Sequence, residues 1–403
     1  MSLQFETTHS FLIRVLRRSG IKMPWVHLDS NLSAFLYSVY DSFLVFIGFY
    51  QFIFAAGSIV WVGNFQDMCN LVAIAVTLLT GILISLFYLL YQERLALFVE
   101  NWNKLNIKIL KSRLDRGFKM KYLKIAQSNV SFSKKILFLV FWTPFIYCSP
   151  VPIIDVIRGL YRANLPLPIL YPYDDHQPGL YELTFCLHVS GLVISVMKKI
   201  GNDCFFLSLF KIHTVYLRCL STSINDSKDK FNMKSDLFIK KKQIVWIQLH
   251  TEIMRNANEL VSIYTPIIVI YYFNLIMIVV FGLFTQIKND RDNFIQGFGI
   301  GGFGIINIFQ LYMMCSSAEV LATESERVAL AIYDIRWYQM NRSNGEMLRL
   351  MLFMAKNPVQ VTAFRARTFL LNKESFIGFI TSSLTALMTF TKINDIRQSQ
   401  SSS

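Results

Sequence analysis

The residues best spaced for chemistry lie on the last apolar stretch of the chain, Ser375–Ile393, which reads SFIGFITSSLTALMTFTKI. Thr381, Thr385, Met388/Thr389 and Lys392 recur there every three or four residues and so share one face of a helix. Apolar Phe379, Ile380, Leu384, Leu387 and Phe390 take much of the rest. At ~1.5 Å rise per residue the stretch is long enough to cross a ~30 Å hydrocarbon layer. A polar stripe on such a helix is either a helix–helix seam or the wall of a water-filled path.

Catalytic chemistry finds no support. The six histidines (His9, His27, His176, His188, His213 and His250) show no metal-ligand spacing, and the six cysteines are scattered singly without a CxxC pair. Gly297, Gly299 and Gly302 match G-x-G-x-x-G, but no strand precedes them and they sit in an apolar run, so close helix packing is the better account. Asp41 and Asp203 are carboxylates in or near membrane segments. Asp203 is expected at the inner boundary, neutralised by Lys198 and Lys199.

The elements that must position these groups follow from composition. The chain has 403 residues, is 53% hydrophobic with mean hydropathy +0.41, and is only 16% charged, against ~25% in soluble domains. That is the composition of an all-α polytopic membrane protein. Seven apolar segments stand out, at about 32–61, 68–91, 132–156, 181–210, 261–285, 294–318 and 375–393. The net charge of +14 is spread over loops, with no basic domain for nucleic acid. Thirty of the 40 basic residues fall on one side of the seven segments and six on the other. The positive-inside rule then places the N-terminus in the cytoplasm and the C-terminus outside. The sequons starting at Asn31, Asn129, Asn225 and Asn341 all fall on the side read as cytoplasmic. This topology argues against a G-protein-coupled receptor.

The division that follows is a cytoplasmic N-terminal segment (1–31), expected to lie on the membrane surface. A six-helix transmembrane region with cytoplasmic helical extensions (32–318) comes next. Cytoplasmic anchor helices (319–374), the final helix (375–393) and a short extracellular tail (394–403) complete it. Between the sixth and seventh segments, VALAIYDIRWYQM and GEMLRLMLFMAKNPVQV read as two amphipathic helices. Tyr333, Trp337, Leu350 and Pro358 are candidates for contacts between such bodies in an oligomer. Near the outer ends of the spans, Tyr147, Tyr181, Phe185, Phe281, Phe298 and Phe303 form either an interfacial aromatic belt or the wall of an apolar pocket.

Three stretches resemble insect odorant receptors: LPLPILYPYDDHQPGLYELTF before the fourth span, AIYDIRWYQM, and AKNPVQVTAFRARTFLLNKESFIGFITSSLTALMTFTKI at the C-terminus. Their order and spacing cover essentially the whole chain. The resemblance implies a tetrameric, ligand-gated, non-selective cation channel of the plasma membrane of sensory dendrites, without cofactor or bound metal. The final helices would line its pore, with Thr381, Thr385, Met388, Thr389 and Lys392 facing the lumen and the narrowest point near Thr389. A small volatile organic ligand would bind among Met68, Val72, Tyr147, Tyr181, Phe185, His188, Phe281 and Phe303. The short loop after the fourth span resembles that of ligand-specific subunits, which assemble with the family co-receptor into a heterotetramer. Alternatives are a gustatory-type receptor channel, whose TYxxxLxQF-like ending is absent here, and a secondary transporter, for which no internal repeat is evident.

Overall fold

The computed structural model describes residues 5–23, 31–63, 65–112, 118–149, 165–228, 236–287, 294–362 and 370–401, with 153, 156 and 157 between them. The described residues form eleven α-helices: α1 (Phe5–Arg18), α2 (Asn31–Trp61), α3 (Phe65–Leu90), α4 (Gln92–Ser112), α5 (Phe118–Phe141), α6 (Thr143–Cys148), α7 (Leu180–Asn225), α8 (Asp236–Ile287), α9 (Phe294–Tyr333), α10 (Arg342–Ala355) and α11 (Lys373–Ser401). A 3₁₀ turn, Trp337–Gln339, joins α9 to α10. Seven helical stretches are long and apolar enough to cross a membrane, as the sequence leads one to expect.

The two longest helices extend far beyond any bilayer. With 46 and 52 residues, α7 and α8 run about 69 and 78 Å, against a hydrocarbon layer of about 30 Å. The long polar stretch expected after the fourth span is therefore mostly helix, with only 226–235 between α7 and α8. Polarity there marks a solvated face rather than a loop. The opposite face is apolar and buried: Leu217, Leu220 and Ile224 on α7, and Ile239, Trp246, Leu249 and Ile253 on α8.

Helix α7 is the hub, packed on α9, α3, α5, α2 and α1. Its approach to α3 is close enough to require glycine. A Cβ at Gly81 would lie 2.9 Å from Ser195 Cα, inside van der Waals contact with backbone that cannot rotate away. Gly81→Leu is expected to cost about 1–3 kcal/mol by overpacking, read as a lower thermal midpoint of the detergent-solubilised protein. Helix α1 is not spread on a membrane surface. Its apolar face, Leu12, Ile13 and Leu16, is buried in the main core beside α7, and His9 meets Trp102 of α4 edge-on at 5.8 Å.

Three further boundaries differ from the sequence expectation. The third span begins at Phe118, since Tyr122 and Asn129 turn a buried face inward, and it breaks before α6, where Pro144 occupies the first turn. The sixth span and the first expected anchor helix are one helix, α9, which ends at Tyr333 before the whole of AIYDIRWYQM is wound. Asn341 starts α10 instead, its side chain accepting from Asn344 N at 2.9 Å. The last helix runs from Lys373 to Ser401, through residues read as a tail.

Candidate functional site

The final helix is fixed at its root and bare along one face. Asn372 caps it, its side-chain oxygen accepting from Ser375 N at 2.7 Å. Glu319 of α9 reaches the same turn: Oε2 accepts from the backbone N–H of Lys373 at 2.9 Å and Oε1 from its ammonium at 3.3 Å. Two turns of aromatic contact follow, Phe376 against Tyr312 of α9 at 5.5 Å and Phe379 against Tyr272 of α8 at 5.7 Å, both edge-on. Farther along, Ser383 and Leu387 are the buried described residues.

The stripe of hydroxyls lies on the open side. A shallow groove runs along Thr381, Ser382, Thr385, Ala386, Thr389 and Ile393. Thr381, Thr385 and Thr389 each donate their hydroxyl proton one turn back, to the carbonyls of Ile377, Thr381 and Thr385 at 2.6, 2.9 and 2.9 Å. Ser382 does the same to Gly378 at 2.8 Å. With the protons spent on the helix, the oxygens face outward as acceptors. Such a surface solvates cations and offers no donor to anions. Met388 and Lys392 are exposed beside the groove but do not line it. Ser382, Ala386 and Ile393 belong to it and were missed, because the stripe was counted in steps of three and four from Thr381 alone.

At the end of the bundle that carries the 165–178 segment, the expected ligand residues scatter over several elements. Tyr147 and Phe185 pack on one small apolar cluster with Ala55, Leu71, Ile74, Leu78, Cys148, Leu167, Ile169 and Leu192. Tyr181 is buried on α7, while Met68, Val72 and Phe281 are half-buried. The side chain of Phe303 lies outside the described residues. His188 is fully buried, and its Nε2 bonds to Tyr171 Oη at 2.8 Å. Tyr171 stacks in turn on Tyr173 at 5.2 Å and meets Phe54 and Tyr50 of α2 at 5.2 and 6.2 Å. Burial, with Tyr173 and Tyr50 alongside, holds the Tyr171 phenol well above its usual titration range, so it remains a proton donor. Ser58 pins the same segment to α2, accepting from Leu170 N at 2.7 Å.

Below this layer a polar belt ties together four helices. Lys199 donates to Asn274 Oδ1 at 3.0 Å and to Asn307 Oδ1, with Tyr271 beneath its ammonium at 5.8 Å. Asn274 donates to Thr80 Oγ1 at 2.7 Å, and Asn202 joins Tyr88 and Tyr271, each at 2.8 Å. The ion pairs expected around Asp203 are not made. Lys198 turns to Ser85 at 2.8 Å, Lys199 goes to the two asparagines, and Asp203 Oδ2 accepts from Gln310 at 2.9 Å. Asp203 is buried among the helices, being 3% exposed.

At the far, basic end, the residues expected between subunits are open to the outside. Tyr333, Trp337 and Leu350 are exposed and Pro358 is half-buried. Tyr333 and Trp337 line a small hollow with Ile332, Leu348, Arg349 and Leu352, the Arg349 guanidinium lying 5.7 Å over the Trp337 ring. Among the described residues, no three His, Cys, Asp or Glu side chains converge as a metal site.

Seven spans, a buried polar belt and a hydroxyl-faced final helix define a multi-pass helical membrane protein. Residues 64–377 match the family described as 7tm Odorant receptor, and the chain belongs to that family, which is one of receptors and not of enzymes. Odorant receptor 82a of Drosophila melanogaster is 24% identical over 232 residues, 57% of this chain and 57% of its own. Odorant receptor 10 of Aedes albopictus is 24% identical over 310 residues, 74% of this chain and 78% of its own. The match to the Drosophila receptor 82a thus spans little more than half of its length. The fold is that of the olfactory receptor OR5 from Machilis hrabei, solved alone and in complex with eugenol. The TM-score to the complex is 0.78 at 15% identity, covering 96% of this chain and 99% of that one.

Proposed function

We propose that this chain is the ligand-specific subunit of an odorant-gated, non-selective cation channel. It sits in the plasma membrane of a sensory dendrite with its N-terminus in the cytoplasm, and it assembles with the family co-receptor as a heterotetramer. The observation that carries this reading is the bare face of α11: hydroxyl oxygens presented as acceptors on a helix gripped at its root. A face of that kind is stable in a membrane when other copies or water cover it. The exposed aromatic residues around Trp337 support assembly through the basic end. Eugenol, bound by the Machilis receptor, supports a small, oxygenated, largely apolar ligand.

Lys392 favours mixed assembly. Four ammonium groups around one mouth repel cations and each other, whereas one or two in a heteromer do so far less. Patch clamp of cells expressing this chain with and without the co-receptor, against a panel of volatiles, tests the whole reading. Ligand-evoked cation current only with both subunits is expected, and substrate accumulation without current sinks it. Thr389→Val keeps the shape of the wall and removes one acceptor worth about 1 kcal/mol. Saturating current is expected to fall about fivefold, measured against surface protein.

A further inference from the structure

Two buried polar atoms between α2 and α7 have no partner among the described residues, and both lie within the layer that the 165–178 segment covers. Gln51 of α2 is 0% exposed. Its amide nitrogen donates to the carbonyl of Leu187, which leaves Oε1 as an acceptor with nothing bound to it. His188 follows Leu187 directly and is also 0% exposed. Its Nε2 is used by Tyr171, and its Nδ1 is unpartnered. Gly191, less than a turn further along α7, is the glycine that lets the Gln51 amide in: a Cβ there would collide with Oε1. In a helix the idle nitrogen of a histidine usually finds a backbone carbonyl or water, and an amide oxygen rarely stays bare when buried.

The chemistry of the missing partner follows from which proton goes where. A neutral phenol is the stronger acid and the neutral imidazole the stronger base, so Tyr171 donates to Nε2 and the ring proton resides on Nδ1. The seam then offers one donor, His188 Nδ1–H, and one acceptor, Gln51 Oε1. Around it stand Tyr50, Phe54, Tyr171 and Phe185, which supply apolar surface and no competing charge.

We propose that Gln51 and His188 form a recognition point for a hydroxyl group, so that the ligands of this receptor are alcohols or phenols. A hydroxyl accepts from Nδ1–H and donates to Oε1 at once. An ether or ester fills only the first and leaves the amide oxygen bare, and a hydrocarbon fills neither. This rests on the channel reading above and names the ligand class it would take. His188 is among the ligand residues the family resemblance points to, beside Met68, Val72 and Phe281; Gln51 is not.

The test uses size-matched probes on the full chain co-expressed with the co-receptor: octanol, heptyl methyl ether and nonane, and benzyl alcohol, anisole and ethylbenzene. In the wild type each alcohol is expected to evoke half-maximal current at a concentration at least about tenfold below its ether and its hydrocarbon, the discrimination usual when a buried polar group is left unpaired. Gln51→Leu and His188→Phe are each expected to reduce that ratio below about threefold. His188→Asn, which keeps an N–H at the place of Nδ1, is expected to retain most of it. The ratio is taken within each variant, so differences in expression cancel, and either variant decides if the other fails to reach the surface. Equal sensitivity across the probes in the wild type, or a preference that survives both variants, overturns the proposal. Silence to every probe with both subunits at the surface overturns the channel reading itself and takes this proposal with it.

Discussion

Lys199→Met is expected to remove most of the receptor from the cell surface. The ammonium is buried among α3, α7, α8 and α9 and serves two asparagines at once, Asn274 and Asn307, while the Asp203 carboxylate one turn along α7 feels its charge. Methionine matches the volume of the stem and supplies none of this. The asparagine oxygens lose their shared donor, and Asp203 keeps only the single bond from Gln310, with Oδ1 unpartnered. Each buried acceptor left without its donor typically costs about 1–3 kcal/mol, against a total stability of about 5–15 kcal/mol. The double variant Lys199→Met with Asp203→Asn should recover part of the loss, because an amide in place of the carboxylate leaves no buried charge once the ammonium is gone. Coupling of about 1–2 kcal/mol between the two sites is the expected size. Surface biotinylation and the thermal midpoint of the solubilised receptor measure both. A single variant with a wild-type midpoint would show that the belt is not what ties the four helices together.

The belt also shows where a sequence stops being legible. Seven spans could be read because a bilayer demands about twenty apolar residues in a row, a one-dimensional property. The partners of Lys199 could not, because Asn274 and Asn307 lie on other helices, 75 and 108 residues away. Asp203 was the nearest opposite charge along the chain, and proximity along the chain was the wrong guide. Gln51 was passed over for a similar reason. Nothing in the run GFYQFIF marks its glutamine as special until Leu187 and Gly191 of α7 are set against it. Helical extensions past the membrane were legible, but not how far α7 and α8 run, because their amphipathic halves carry lysines on the solvated face and their buried residues on the other. The hydroxyl stripe of α11 was legible, since helical period alone places Thr381, Thr385 and Thr389 together. That each proton is turned back onto the helix was not.

Glu319→Ala is expected to lower ligand-evoked current per surface receptor by about tenfold while leaving expression nearly intact. Among the described residues, Glu319 is the one charged side chain from another helix that grips the first turn of α11. The two contacts it makes are unequal. A charge-assisted bond to a backbone N–H contributes about 1.5–3 kcal/mol, and a carboxylate at a helix N-terminus about 0.3–1 kcal/mol more. The pair with the Lys373 ammonium, half-exposed, adds only about 0.2–1 kcal/mol. The grip is therefore mainly on the backbone, and the variants should rank accordingly. Lys373→Met leaves the backbone bond and should behave almost as the wild type. Glu319→Gln keeps an acceptor without charge and should fall between. Glu319→Ala loses both, so that a displacement of α9 on ligand binding no longer reaches the root of α11, and Phe376 against Tyr312 must carry it alone. Dose–response curves normalised to surface protein give the ranking. If Lys373→Met proves as damaging as Glu319→Ala, the ion pair and not the helix cap couples the two helices; if neither changes the current, the root is held by its aromatic contacts and Glu319 has no part in gating.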